Sequence, residues 1–148
     1  MRRPFSEPVF VDTSAFVALA SPAEGHHGPV QKAFAEAEEQ RSRLITTNSV
    51  VIETAGLLRR RRAYPGSRRF LDLIHREAAR GALSVVYENE EIMEQAEGIF
   101  DSWQDPKLSL TDAVSFAVCR HLGIDTALTL DHHFRDAGFL ILPAVRRV

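Results

Sequence analysis

The sequence predicts a three-layer α/β fold, with a central, mostly parallel sheet of four to five strands flanked by helices. Three observations carry that expectation. Apolar runs of strand length alternate with longer segments of helical period, the pattern of a parallel sheet covered by helices. The chain has 148 residues, 45% of them hydrophobic, which suffices for one domain (1–148) with a continuous core and is short for two. Its single cysteine, Cys119, falls inside an apolar helical segment, where it reads as a core side chain. That removes a disulfide framework, a Cys-rich metal site and a redox pair from consideration. No apolar stretch approaches the roughly 18 residues of a membrane span. The run after "MRRPFSEP" is interrupted by Asp12, too soon for a signal peptide. A soluble, cytoplasmic protein with no membrane partner is expected.

Taken in order, "PVFVD" (8–12) is a first buried strand and "TSAFVALAS" a short helix. "GHHGPVQKAFAEAEEQ" (25–40) is a second helix, with Pro29 tolerated in its first turn and a body rich in Ala, Glu and Gln. "RLIT" (43–46) is the second strand. Asn48 is placed to cap "SVVIETAGLLRRR", whose Val51, Thr54, Ala55 and Leu58 share a face, and "AYPG" (63–66) is expected to break that helix. A further helix over about 67–80 stops at Gly81, and "LSVVY" (83–87) is the third strand. "NEEIMEQAEGIFDSW" (89–103) is amphipathic, with Ile92, Ala96 and Ile99 on one side and the acids largely on the other. After a turn at Asp105 and Pro106 comes "LSLTDAVSFAVCRHLG" (108–123), apolar almost all round and closed by Gly123. "DTALTL" (125–130) and "FLIL" (139–142) complete the sheet.

The formal charge of −2 hides an uneven distribution. Thr54 to Leu71 holds six arginines and no acid, whereas Gly81 to Pro106 holds seven acids and no base. The arginines serve either as cations offsetting a helix dipole or as contacts to a phosphate backbone, with Arg61, Arg62, Arg68 and Arg69 the candidates for the latter. The acidic helix is either a solvated face or part of a dimer or partner surface.

Acids at the polar ends of buried strands are costlier to place than acids on a helix face. Asp12 ends the first strand and Asp131 the fourth, at the sheet edge where open parallel sheets build their sites. Glu53 lies in the otherwise apolar "NSVVIETAGLL", and Asp112 begins the helix leading into the fourth strand. Right-handed crossovers can bring the four together. Four close carboxylates raise one another's pKa and call for a cation. An all-oxygen set without Cys suits a hard octahedral ion, Mg2+ or Mn2+. Such an ion activates water and stabilises charge at phosphorus, so a phosphodiesterase is expected, attacking in line to leave a 5'-phosphate and a 3'-hydroxyl.

"FVDTSAFVAL", "NSVVIETAGLL", "LSLTDAVSFAVCRHLG" and "ALTLDHHFRDAGF", in that order, resemble the PIN domain, most closely the VapC-type toxin ribonucleases. The resemblance covers nearly the whole chain. It implies metal-dependent cleavage of RNA, a homodimer and neutralisation by a cognate antitoxin. It also implies that Asp12, Glu53, Asp112 and Asp131 form the acidic site, with Thr13 or Ser14 supplying an orienting hydroxyl.

Each residue has a plainer explanation. Asp112 stands at N3 if Ser109 is the N-cap, where an acid favours the dipole; Asp12 can cap the following helix; Glu53 can pair with Arg59 or Arg60; Asp131 can open a turn. The adjacent pairs His26, His27 and His132, His133 read as solvent-exposed. The joint occurrence of all four acids is what these separate explanations account for poorly. A haloacid-dehalogenase-like phosphatase needs a second Asp where Ser14 stands, and a ribonuclease-H-like nuclease would open with antiparallel strands. A stand-alone RNA-processing nuclease and a catalytically silent RNA- or protein-binding domain remain alternatives.

Overall fold

Short β-branched runs flanked by turn residues form the strands, and the amphipathic segments between them form the helices. A computed structural model describes residues 7–144, without the side chains of residues 62 and 63. The elements are β1 (Val9–Val11), α1 (Thr13–Leu19), α2 (His27–Glu39), β2 (Leu44–Thr47), α3 (Asn48–Ala79), β3 (Leu83–Val86), α4 (Glu90–Ser102), α5 (Leu110–Leu122), β4 (Thr126–Leu128), α6 (His132–Asp136) and β5 (Leu140–Leu142). All strand pairs are parallel, in the order β3-β2-β1-β4-β5.

That order places a reversal at the centre of the sheet. From β1 the chain winds outward through β2 to β3, then crosses back to lay β4 on the other side of β1. Right-handed crossovers put α1, α2 and α3 on one face and α4, α5 and α6 on the other. The carboxyl ends of β1 and β4 therefore diverge into helices on opposite faces, leaving a crevice between them.

The helix expected to break at "AYPG" is continuous from Asn48 to Ala79, with Pro65 inside it and Thr47 rather than Asn48 as its N-cap. The Thr47 hydroxyl accepts the Val50 N–H at 3.1 Å. An interior proline removes a backbone hydrogen bond and costs about 3 kcal/mol, so packing must compensate. Val50 and Leu58 are buried before the proline, Phe70 and Ile74 after it. At about 100° per residue the two pairs stand on opposite sides of an ideal helix, so each half finds its own neighbours. Phe70 packs edge-on against Phe16 of α1 at 5.3 Å, and the Ser67 hydroxyl donates to the Tyr64 carbonyl at 3.0 Å. A second departure lies after β4, which ends at Leu128 and not at 130. The five-residue α6 that follows is too short to leave a periodic signal.

An aromatic cluster fixes α5 and α6 to the sheet. Phe116 meets Phe134 at 4.9 Å, Phe139 at 5.7 Å and Trp103 at 5.6 Å, and Phe134 meets Phe10 of β1 at 6.0 Å. Phe10, Phe116 and Phe134 are fully buried, as is Cys119 on the same helix as Phe116. Phe116→Ala should therefore destabilise the protein by about 3–5 kcal/mol, read as a lowered urea midpoint.

Candidate active site

Asp12 follows β1 and is the N-cap residue of α1, yet its side chain makes no capping bond. Its Oδ2 instead accepts from the Ser14 hydroxyl and from the Thr129 hydroxyl, both at 2.9 Å. Each hydroxyl is itself held by backbone beyond β4. Ser14 Oγ accepts the Leu130 N–H at 2.8 Å, and Thr129 Oγ1 accepts the Asp131 N–H at 2.9 Å. Asp12 is 3% exposed, so one carboxylate ties the ends of β1 and β4 together in the dry interior. Asp112 lies at N3 of α5 in a capping box: the Ser109 hydroxyl accepts its N–H at 3.0 Å, and its Oδ2 accepts the Ser109 N–H at 3.1 Å. Glu53 stands on the second turn of α3 and makes no hydrogen bond or ion pair with a described residue; Arg59 lies over the Tyr64 ring instead. Asp131 is the N-cap of α6.

All four acids line one open cleft of 430 Å³ at the strand crossing point, together with Thr13, Ser14, Ser109, Glu24, Arg61 and Lys107. Burial drives the Asp12 pKa up to about 7, and the neighbouring Asp112 charge pushes it the same way against the two hydroxyl donors. Asp112 is also raised, first by burial, with the Asp131 and Glu53 charges adding to it and its bonds to Ser109 opposing. These carboxylates thus strain against their own ionisation. Among the described residues, Asp112, Asp131 and His133 bring ligand atoms within 4.8 Å of one another, a carboxylate-rich set whose chemistry suits a divalent cation. Thr13 also lines the cleft, and its hydroxyl is one of two buried side-chain polar atoms without a partner among the described residues. A more apolar groove of 490 Å³ lies elsewhere, beside α2 and the end of α3. There Arg80 is occupied by Glu77 at 3.1 Å and Glu38 at 3.7 Å.

Comparison with known proteins matches residues 9–140 to the PIN domain. The chain belongs to the PIN-domain family. Among its curated relatives is the 23S rRNA-specific endonuclease VapC20 of Mycobacterium tuberculosis, from strains CDC 1551 / Oshkosh and H37Rv. It is 32% identical over 139 residues, covering 89% of this chain and 95% of the relative. The crystal structure of M. tuberculosis VapC20, described as a sarcin-ricin loop cleaving toxin, superposes with a TM-score of 0.80 at 29% identity. The match covers 89% of this chain and 96% of that one.

Several residues around the PIN-domain acids are not evident from sequence patterns. His133, expected at the surface, is 4% exposed. Its Nδ1 lies 2.6 Å from Asp131 Oδ1 and its Nε2 lies 2.8 Å from Asp105 Oδ2. Burial disfavours the imidazolium, but the hydrogen bonds and charges of the two carboxylates outweigh it and raise the His133 pKa. Asp105 is held below the usual carboxylate range, by the Lys107 N–H first and then by His133. The first histidine pair is engaged locally: His27 Nδ1 lies 2.8 Å from the Ala18 carbonyl, and His26 Nδ1 lies 3.2 Å from Glu24. Thr129 and Lys107 complete the additions. The sequence signals for them are faint, a threonine at a buried strand end and a histidine two residues past a capping aspartate. Of the arginines, Arg61 reaches the cleft, Arg68 pairs with Asp72 at 3.0 Å, Arg69 is exposed further along α3, and the Arg62 side chain lies outside the described residues. None of the described helices is long and apolar enough to cross a membrane.

The Asp12 shift makes stability depend on pH. An Asp carboxyl titrates near 3.8 in the unfolded chain and near 7 in the fold. Between those values the folded protein holds a proton that the unfolded chain has released, so in EDTA its stability falls as pH rises through that window. Asp12→Asn should flatten this fall and stabilise the metal-free protein by about 1–3 kcal/mol at pH 8, with little change at pH 4. Urea midpoints at the two pH values measure it.

Proposed function

We propose that this PIN domain is a metal-dependent endoribonuclease and the toxin of a toxin–antitoxin pair. The observation that carries the reading is the cleft that gathers Asp12, Glu53, Asp112 and Asp131 at the strand crossing point. The likeness to VapC20 over nearly the full length of both chains supports it. Structured RNA is the proposed substrate class, and the 23S sarcin-ricin loop, which VapC20 cleaves, is the first RNA to try. A homodimer and a cognate antitoxin belong to the same reading.

The four carboxylates would hold Mg2+ or Mn2+, which when bound supplies a water of lowered pKa and neutralises charge on the scissile phosphate. The remaining work falls to the protein. Ser14 and Thr129 aim the Asp12 carboxylate, and each occupies the same oxygen, Oδ2, leaving Oδ1 for the cleft. The capping box likewise engages Oδ2 of Asp112 and anchors it to a helix whose body is buried, so the carboxylate does not swing. The positive end of the α5 dipole favours the ionised form of Asp112, opposing the burial that raises its pKa. Arg61 and Lys107, on opposite elements at the cleft, would take the flanking phosphates.

Chelation should abolish cleavage of a sarcin-ricin loop hairpin, and added Mg2+ or Mn2+ should restore it; cleavage persisting in excess EDTA would sink the metal requirement. Asp112→Asn should lower the rate by more than about a hundredfold, beyond what outer residues of a metal site cost. RNA binding should lose about one unit of salt slope for each of Arg61→Ala and Lys107→Ala. A slope unchanged in both would remove them from the interface.

A further inference from the structure

His133 is a buried side chain in contact with one of the four acids, and the acidic site assigns it no part. It stands on the first turn of α6 and is 4% exposed, with its ring stacked against His132 at 4.3 Å and beside Trp103 at 6.0 Å. That packing fixes the ring plane. Both nitrogens then face carboxylate oxygens, Nδ1 toward Asp131 at 2.6 Å and Nε2 toward Asp105 at 2.8 Å, an arrangement in which the imidazolium form donates through each. Two separate parts of the cleft hang from these bonds. Asp131 is one of the four acids, and its Oδ1 also accepts the His133 N–H at 3.0 Å. Asp105 shapes the turn between α4 and α5: its Oδ1 accepts the Lys107 N–H at 2.9 Å, and Lys107 lines the cleft.

We infer that His133 is a two-sided positioning residue, which orients the Asp131 carboxylate through Nδ1 and sets the Lys107-bearing turn against the RNA backbone through Nε2. The inference rests on the function proposed above. It assigns His133 no contact with metal or RNA. An imidazole is suited to this role because its two ring nitrogens point in fixed, divergent directions, which neither a lysine nor a single amide reproduces.

The two sides separate by substitution. Asparagine places an amide donor near the Nδ1 position, and glutamine places one near Nε2. In the full chain, His133→Gln should weaken Mn2+ binding by about tenfold, the lower end of what loss of an orienting partner costs. The backbone N–H still supports Asp131 in that variant, and RNA binding should be unchanged. His133→Asn should bind Mn2+ like the wild type, while the salt slope of its RNA binding falls by about one, the loss of a single phosphate contact. That fall should vanish in a Lys107→Ala background. Mn2+ binding is read by EPR titration. RNA binding is read in EDTA with a sarcin-ricin loop hairpin, so that no strand is cut.

Identical behaviour of both variants, whether both intact or both impaired in both assays, overturns the inference. So does a nitrogen hyperfine coupling in the wild-type Mn2+ spectrum, which would make His133 a ligand. A wild-type chain that binds no Mn2+ overturns the proposed function instead. If either histidine variant fails to fold, Asp105→Asn carries the RNA arm, since at this 38% exposed side chain it keeps an oxygen for the Lys107 N–H and loses the oxygen that faces His133 Nε2. There the same loss of slope supports the inference, and an unchanged slope overturns it.

Discussion

A carboxylate placed in the dry junction between two parallel strands is the constraint around which this site is arranged. Asp12 is almost wholly withdrawn from solvent where it stands, and two hydroxyls are committed to one of its oxygens. Those hydroxyls are in turn held by backbone N–H groups of Leu130 and Asp131. The bonds thereby fasten the start of α1 to the segment leaving β4, across the point where the strand order reverses. Remove the carboxylate and the hydroxyls lose the acceptor that defines their rotamers. The fold and the proposed chemistry share this one group.

Asp112 reaches a similar double use by another route. Its N3 position stabilises α5, and the same bonds that cap the helix immobilise the carboxylate within the cleft. A cap and a ligand are often treated as competing explanations for an acid in a first turn. Here the capping box engages Oδ2 while the cleft receives the group, so the two roles coexist. The aromatic cluster beneath supplies the rigidity that both need, since Phe116 and Phe134 tie α5 and α6 to β1. A site on rigid helix termini loses less geometry to thermal motion than one on loops.

The electrostatics of the cleft follow from this concentration of acids. Two of the four carboxylates are pushed upward in pKa, mainly by burial. The basic side chains near them differ in kind: Arg61 and Lys107 reach in from exposed positions, whereas His133 is enclosed between two carboxylates. An uncompensated cluster of this type is poor for stability and apt for binding a cation, the usual balance at a functional site. The likeness to VapC20, a 23S rRNA-specific endonuclease, covers 89% of this chain.

Much of the architecture was legible along the chain. The alternation of strand runs and helical periods specifies a parallel sheet, because a strand buried on both faces has to be apolar throughout and its crossovers have to be helical. Asp12, Glu53, Asp112 and Asp131 stood out because charge is expensive in apolar surroundings, and Ser109 was recognisable as a cap by its spacing from Asp112. Other features depended on contacts between residues far apart in sequence. The helix runs through Pro65 because Phe70 finds Phe16, which no local propensity encodes. Thr129 matters because strand order sets it beside Asp12, and His133 is buried because Trp103 and Asp105 come to it from the end of α4. The sequence by itself determined which acids had to be sheltered, since the cost of burying a charge is a property of the residue and its neighbours in the chain. Only the tertiary structure decided what shelters them, since a hydrogen bond requires two groups within about 3 Å, whatever their separation along the chain.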